Sequence, residues 1–166
     1  MQIRNATEAD AKRISELIHS LSGPFTVSPT GIGAELFFAS ITEQAIRSYL
    51  LADNFSYLVA ESGSELAGVV AMRDKRHLYH LFVAQAFQGQ GLSRSLWATV
   101  RKAALAAGSA GHFTVNSSLN AVPVYDRLGF TPSAPKVETH GIAFLPMKLD
   151  AGENSEKAAD LSSPGK

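Results

Sequence analysis

The stretch from Leu78 to Ser93 reads LYHLFVAQAFQGQGLS, and it decides what kind of sheet this chain builds. Its first part, with Leu78, Leu81, Phe82 and Val83, is apolar enough for a strand inside a sheet. Gly89 and Gly91 then punctuate a turn, and Leu92 opens a helix whose apolar face continues through Leu96, Val100, Ala103 and Ala107. A helix start carries backbone N–H groups with no intrahelical partner, together with the positive end of the helix dipole. Glycines just before it let the backbone approach an anion with no Cβ in the way. The stretch therefore predicts a strand, an anion-binding turn and a helix. GQGLSR lacks the third glycine of a dinucleotide fingerprint, and no Gly-Lys-Ser/Thr follows to make a P-loop.

Outward from this stretch the chain alternates helix and strand signals. Met1 to Asn5 reads as a short strand, with Thr7 and Asp10 as a helix-capping pair. Ala11, Ile14, Leu17, Ile18 and Leu21 give a first amphipathic helix. Two Pro and three Gly between Ser22 and Gly33 predict a loop. A second helix starts at Thr42, with Ile41 and Ile46 placed as a hydrophobic staple. Phe55 to Glu61 and Leu66 to Met72 form a hairpin around Ser62-Gly63-Ser64, and His77 to Ala84 is the next strand. Phe113 to Asn116 is a strand, Ala121 to Leu128 a brief helix stopped by Gly129, and Gly141 to Leu149 the last strand. On strict alternation His77, Tyr79 and Leu81 share one face of their strand, and Leu78, His80 and Phe82 the other. The last residues, AGENSEKAADLSSPGK, are small and polar and predict a disordered tail over 150–166.

Composition narrows the function classes. Fifteen Lys plus Arg balance fifteen Asp plus Glu in 166 residues, which argues against bulk electrostatic binding to nucleic acid or to a membrane. No apolar run approaches the roughly 20 residues of a membrane span, the N-terminus lacks a signal-peptide core, and there is no cysteine. A cytoplasmic protein is expected. The five histidines are too scattered for a ligand set, so no metal is expected.

Gln88-Gly89-Gln90-Gly91-Leu92-Ser93 resembles the acyl-CoA motif of the GCN5-related N-acetyltransferase (GNAT) superfamily, Gln/Arg-x-x-Gly-x-Gly/Ala, with Ser93 where Gly or Ala is usual. Asn120 to Phe130, with its Ala-x-x-x-Tyr-x-x-x-Gly-Phe spacing, resembles the second half of that signature. The resemblance covers residues 1–149 and implies one α/β domain there. It implies a mixed, mostly antiparallel sheet of six or seven strands flanked by four helices, with a splay between the two central strands. It further implies an N-acetyltransferase that moves an acetyl group from acetyl-CoA to a primary amine in a ternary complex. On the same fold, a non-catalytic acyl-CoA sensor or interaction module is the alternative.

The resemblance also assigns residues. The pyrophosphate is expected on the N–H groups of Gly89, Gln90, Gly91, Leu92 and Ser93, beside Gln88. The pantetheine arm is expected to pair with the strand edge at Phe82 and Val83. Asn116, Asn120 and Ser118 are alternatives for bonding that arm. Tyr125 is the expected general acid, the Val83 N–H the group that polarises the acetyl carbonyl, and His77 a candidate base. His80 is a weaker candidate that points into the helix layer. Phe25, with Phe37 and Phe38, would wall a partly apolar acceptor site, while Glu35 and Glu43 are carboxylates able to attract a cationic amine. A small-molecule amine is favoured over a peptide amine as acceptor. An exposed last strand would allow homodimer pairing, but nothing in the sequence selects an oligomeric state.

Overall fold

The computed structural model describes residues 1–150; of the expected tail only Asp150 falls within them, and it ends the last strand. The strands are β1 (Gln2–Asn5), β2 (Phe55–Ser62), β3 (Glu65–Arg73), β4 (His77–Val83), β5 (His112–Ser117), β6 (Thr131–Pro132), β7 (Val137–Thr139) and β8 (Ile142–Asp150). The helices are α1 (Ala11–Ser20), α2 (Glu35–Ala39), α3 (Glu43–Leu51), α4 (Leu92–Ala106) and α5 (Val122–Leu128). The sheet runs β1-β2-β3-β4-β5-β8-β6, with β7 paired to β8. Every pairing is antiparallel except β4 with β5. Among the described residues that makes eight strands and five helices, against the expected six or seven and four. The additions are α2, β6 and β7, pieces of five, two and three residues.

Alternation along β2 and β3 divides the core. Tyr57, Val59, Val69 and Ala71 meet Ile14 and Ile18 of α1 and Ile46 of α3 on one face. Leu58, Ala60, Val70 and Met72 meet Leu96, Trp97 and Val100 of α4, with Tyr125 and Phe130, on the other. Because both faces are covered, the central strands read as almost continuous apolar runs. The entry to α1 is fixed electrostatically. Asp10, buried, accepts the Thr7 N–H at 2.8 Å and two Arg4 guanidinium N–H bonds at 2.9 Å. The Arg4 guanidinium holds the Asp10 carboxyl below its usual range.

Two irregularities shape the centre. The first is a bulge: Ala71 pairs with His80 but Met72 with Leu78, so Tyr79 is the extra residue of β4. Strict alternation therefore fails there. Tyr79, His80 and Phe82 pack toward α1 and α3, while Leu78, Leu81 and Val83 pack toward α4. The second is a divergence. β4 and β5 pair in parallel at only His77↔Thr114 and Leu78↔Val115, and beyond these pairs the strands part.

Candidate active site

A cleft of about 760 Å³ opens where β4 and β5 part. Its walls come from both sides of the sheet. Leu81, Val83, Gly89, Gly91, Leu92, Ser93, Asn116, Asn120 and Tyr125 line one end; Leu21, Pro24, Phe25, Tyr79 and Phe82 line the other.

The strand edge facing this cleft is unpaired on its open side. Ala84 donates its N–H to the Ala67 carbonyl of β3 at 2.8 Å. Alternation then turns the N–H groups of Val83 and Leu81 away from β3, into the opening. The Gln88 side-chain amide donates to the Val83 carbonyl at 3.0 Å, which ties the glycine turn to the strand.

At the turn, Gly89 and Gly91 have φ of +76° and +80°, and among the described residues no atom beyond the chain neighbours lies within 4 Å of a Cβ built on either. The backbone conformation, not crowding, requires glycine there, and the space above stays open. Gly91 is the N-cap of α4 and supplies no side chain to cap it. The N–H groups of the first turn are thus presented to the cleft with no side-chain partner. Arg94 and Arg127 line the same end, and among the described residues neither makes an ion pair. Arg94 is a residue the sequence reading missed, although a cation in the first turn of a helix opposes the dipole and calls for another reason.

Tyr125 stands on α5, buried apart from 7% of its surface, with its ring edge-on to Phe130 at 5.7 Å. Its hydroxyl has no hydrogen-bond partner among the described residues, and burial pushes its pKa up. The phenol therefore stays protonated near neutral pH. Ser118 and Asn120 are tied to each other at 3.0 Å, and Asn116 is exposed nearby; all three reach the cleft.

The histidines lie elsewhere. His77 sits at the far end of β4 from Val83, roughly 20 Å along the strand, and does not line the cleft. Its Nδ1 is 2.8 Å from the Thr114 hydroxyl, across the short parallel pairing. Burial, with Arg73 and Arg76 nearby, lowers its pKa to about 4. His80 points into the helix layer, 3.0 Å from the Tyr57 hydroxyl, and burial lowers its pKa to about 3. Glu35 accepts from the Gly33 N–H, Glu43 pairs with Arg47, and neither reaches the cleft. Of the aromatic candidates Phe25 lines the cleft, Phe37 stacks behind it at 5.4 Å, and Phe38 packs on His19.

A sheet open at its centre, with an uncapped helix start beside it, is the arrangement the glycine motif implies. Residues 25–151 match the family model for the acetyltransferase (GNAT) domain. The chain belongs to the GNAT acetyltransferases. It is accordingly an acyl-CoA-dependent acetyltransferase. Among solved structures, the fold is shared by a GCN5-related N-acetyltransferase from Rhodopseudomonas palustris. That match is 19% identical with a TM-score of 0.73, covering 90% of this chain and 94% of that one. PaiA N-acetyltransferase from Thermoplasma acidophilum, in complex with coenzyme A, has a TM-score of 0.71 at 13% identity, over 90% and 98% of the two chains. YncA from Salmonella typhimurium, with its cofactor acetyl-CoA, has a TM-score of 0.60 at 21% identity, over 90% and 93%. No curated protein matches the chain by sequence. No helix among the described residues is long and apolar enough to cross a membrane.

Proposed function

We propose that this GNAT acetyltransferase transfers the acetyl group of acetyl-CoA to the nitrogen of a primary amine, with Tyr125 as general acid. The observation that carries the reading is the meeting, in one cleft, of an unpaired strand edge, an uncapped helix start and a phenol that lines the cleft with no hydrogen-bond partner among the described residues. The first-turn N–H groups of α4, with Gly89, Gln90, Gly91 and Ser93, would hold the pyrophosphate, and Arg94 and Arg127 would add charge. The Phe82–Val83 edge, Leu81 included, would pair with the pantetheine arm as a strand does. The Val83 N–H would then polarise the thioester carbonyl. Asn116, Ser118 and Asn120 fit the same arm from the β5 side.

The reaction forms a C–N bond and breaks the C–S bond; Tyr125 gives its proton to the departing thiolate, and the proton shed by the attacking nitrogen passes to solvent in the open cleft, from which the phenol is restored. His77, bonded to Thr114 outside the cleft, acts as a clip between β4 and β5 rather than as a base. Binding of acetyl-CoA at 100 times its Kd should raise stability by about 2.7 kcal/mol. A thermal midpoint that moves with acetyl-CoA and CoA, but not with ATP, supports the donor site. No movement at millimolar acetyl-CoA would overturn it. Acetyl transfer to an amine that survives unchanged in Tyr125→Phe would remove Tyr125 from its role.

A further inference from the structure

The acceptor end of the cleft differs chemically from the donor end. Phe25 and Phe82 are half-buried, 6.1 Å apart between ring centres, and Leu21 and Pro24 extend this wall. The polar atoms behind the wall are engaged with one another. Tyr79 donates its hydroxyl to Tyr49 at 3.3 Å, Tyr49 donates to the Ser40 carbonyl at 3.0 Å, and His80 faces Tyr57. Apart from Ser20, whose hydroxyl donates to the Leu17 carbonyl at 2.7 Å, this end offers a ligand ring faces and aliphatic surface. Among the described residues, the ionisable side chains that line the cleft are Tyr79, Tyr125, Arg94 and Arg127, none of them a carboxylate or an imidazole.

Such a wall neither attracts a polycation nor supplies a base to strip an ammonium group. An amine must lose its proton before it attacks. At pH 7.5 an α-amino group is roughly one-third neutral, whereas an alkylamine of the lysine type is neutral in about one molecule per thousand. We propose that the acceptor is a weakly basic amine of the α-amino type carried beside an apolar group, and that Phe25 and Phe82 hold that group. This rests on the acetyltransferase reading of the cleft.

The test begins with calorimetric titration of acetyl-CoA, because absence of binding would overturn the donor site and this inference together. With binding established, kcat/KM at pH 7.5 is compared for phenylalanine amide, glycine amide and 1,5-diaminopentane. Phenylalanine amide should exceed glycine amide by about tenfold, the value of partial burial of one ring. It should exceed the diamine by about a hundredfold. Phe25→Ala should raise KM for phenylalanine amide about tenfold, with Phe25→Leu restoring much of it. In both variants the loss should be several-fold larger for phenylalanine amide than for glycine amide, and the Kd for acetyl-CoA should stay within twofold. A diamine acetylated as well as phenylalanine amide would overturn the proposal. So would a protein that binds acetyl-CoA and acetylates neither amide, or a Phe25→Ala variant that loses all acceptors equally.

Discussion

The two ends of the cleft are made of different material. The proposed donor end is backbone: N–H groups of the α4 start, two left-handed glycines and a strand edge without a neighbour among the described residues. The acceptor end is side chain: rings from the turn after α1 and from β4, with α2 and α3 packed behind them. A backbone site demands a few residue types at fixed spacing, because glycine adopts the required positive φ at no steric cost. A side-chain wall asks only for apolar surface, and many residues supply it. A shared fold can therefore keep one donor end while acceptor ends diverge.

The sharpest way to break this comparison is at Gly91. A glutamate there would carry charge and bulk into the space above the α4 start, where no atom of the described residues, the chain neighbours aside, lies within 4 Å of the added Cβ. Gly91→Glu should weaken acetyl-CoA binding by more than a hundredfold in titration, while stability falls by only about 1–2 kcal/mol for the positive φ. Unchanged affinity would mean that the anion does not sit on this backbone. Next in size is Tyr125→Phe, which removes the proposed proton donor but keeps the ring against Phe130. The maximal rate should fall by about 10² to 10⁴, with acetyl-CoA affinity within a few-fold of the parent. A loss of affinity without a loss of rate would reverse the assignment.

On the acceptor side, the loop after α1 is held from outside. Thr26 bridges to Ile142, Val27 donates to the Gly141 carbonyl at 2.9 Å, and a Cβ on Gly141 would lie 2.4 Å from the Gly33 carbonyl carbon. Gly89 has nearly the same φ, +76° against +75°, but open space around it. Alanine at each position separates strain from collision. Gly89→Ala should cost about 1–2 kcal/mol, and Gly141→Ala about 3 kcal/mol or more. In a chain of this size the latter lowers Tm by roughly 6–12 °C. Equal losses would show that the loop does not press on Gly141.

The glycine turn, the α4 helix and the Tyr125 segment are legible because each is local in sequence. The alternation of His77 through Phe82 was misread for a physical reason. A bulge arises from the register between β3 and β4, and nothing within β4 itself announces Tyr79 as the extra residue. The short α2, β6 and β7 carry too few residues to show a period. Leu21, Phe25, Tyr79 and Phe82 meet only after α1 has docked on the sheet, so the acceptor wall had no linear signature beyond an aromatic loop.

His77 gives the smallest effect and separates catalysis from folding. Its folded-state pKa of about 4 lies below the ordinary value of 6.5, and His80 at about 3 behaves alike. Between pH 6.5 and 4 the unfolded chain takes up protons at these sites and the folded chain does not. Stability should therefore be full above pH 6.5 and fall as pH drops, by at most about 1.4 kcal/mol per unit for each group. Asp10 acts in a lower window: its pKa is depressed from 3.8, so its contribution is lost only below that value. His77→Gln keeps a group able to bond Thr114 but cannot titrate, and it should roughly halve the loss of stability measured between pH 7 and pH 5. The pH–rate profile should stay where it was, since His77 does not line the cleft. An acid limb of the rate that disappears in His77→Gln, with the stability slope unchanged, would instead make this histidine the base and place the proton's exit at the closed end of the β4–β5 pairing.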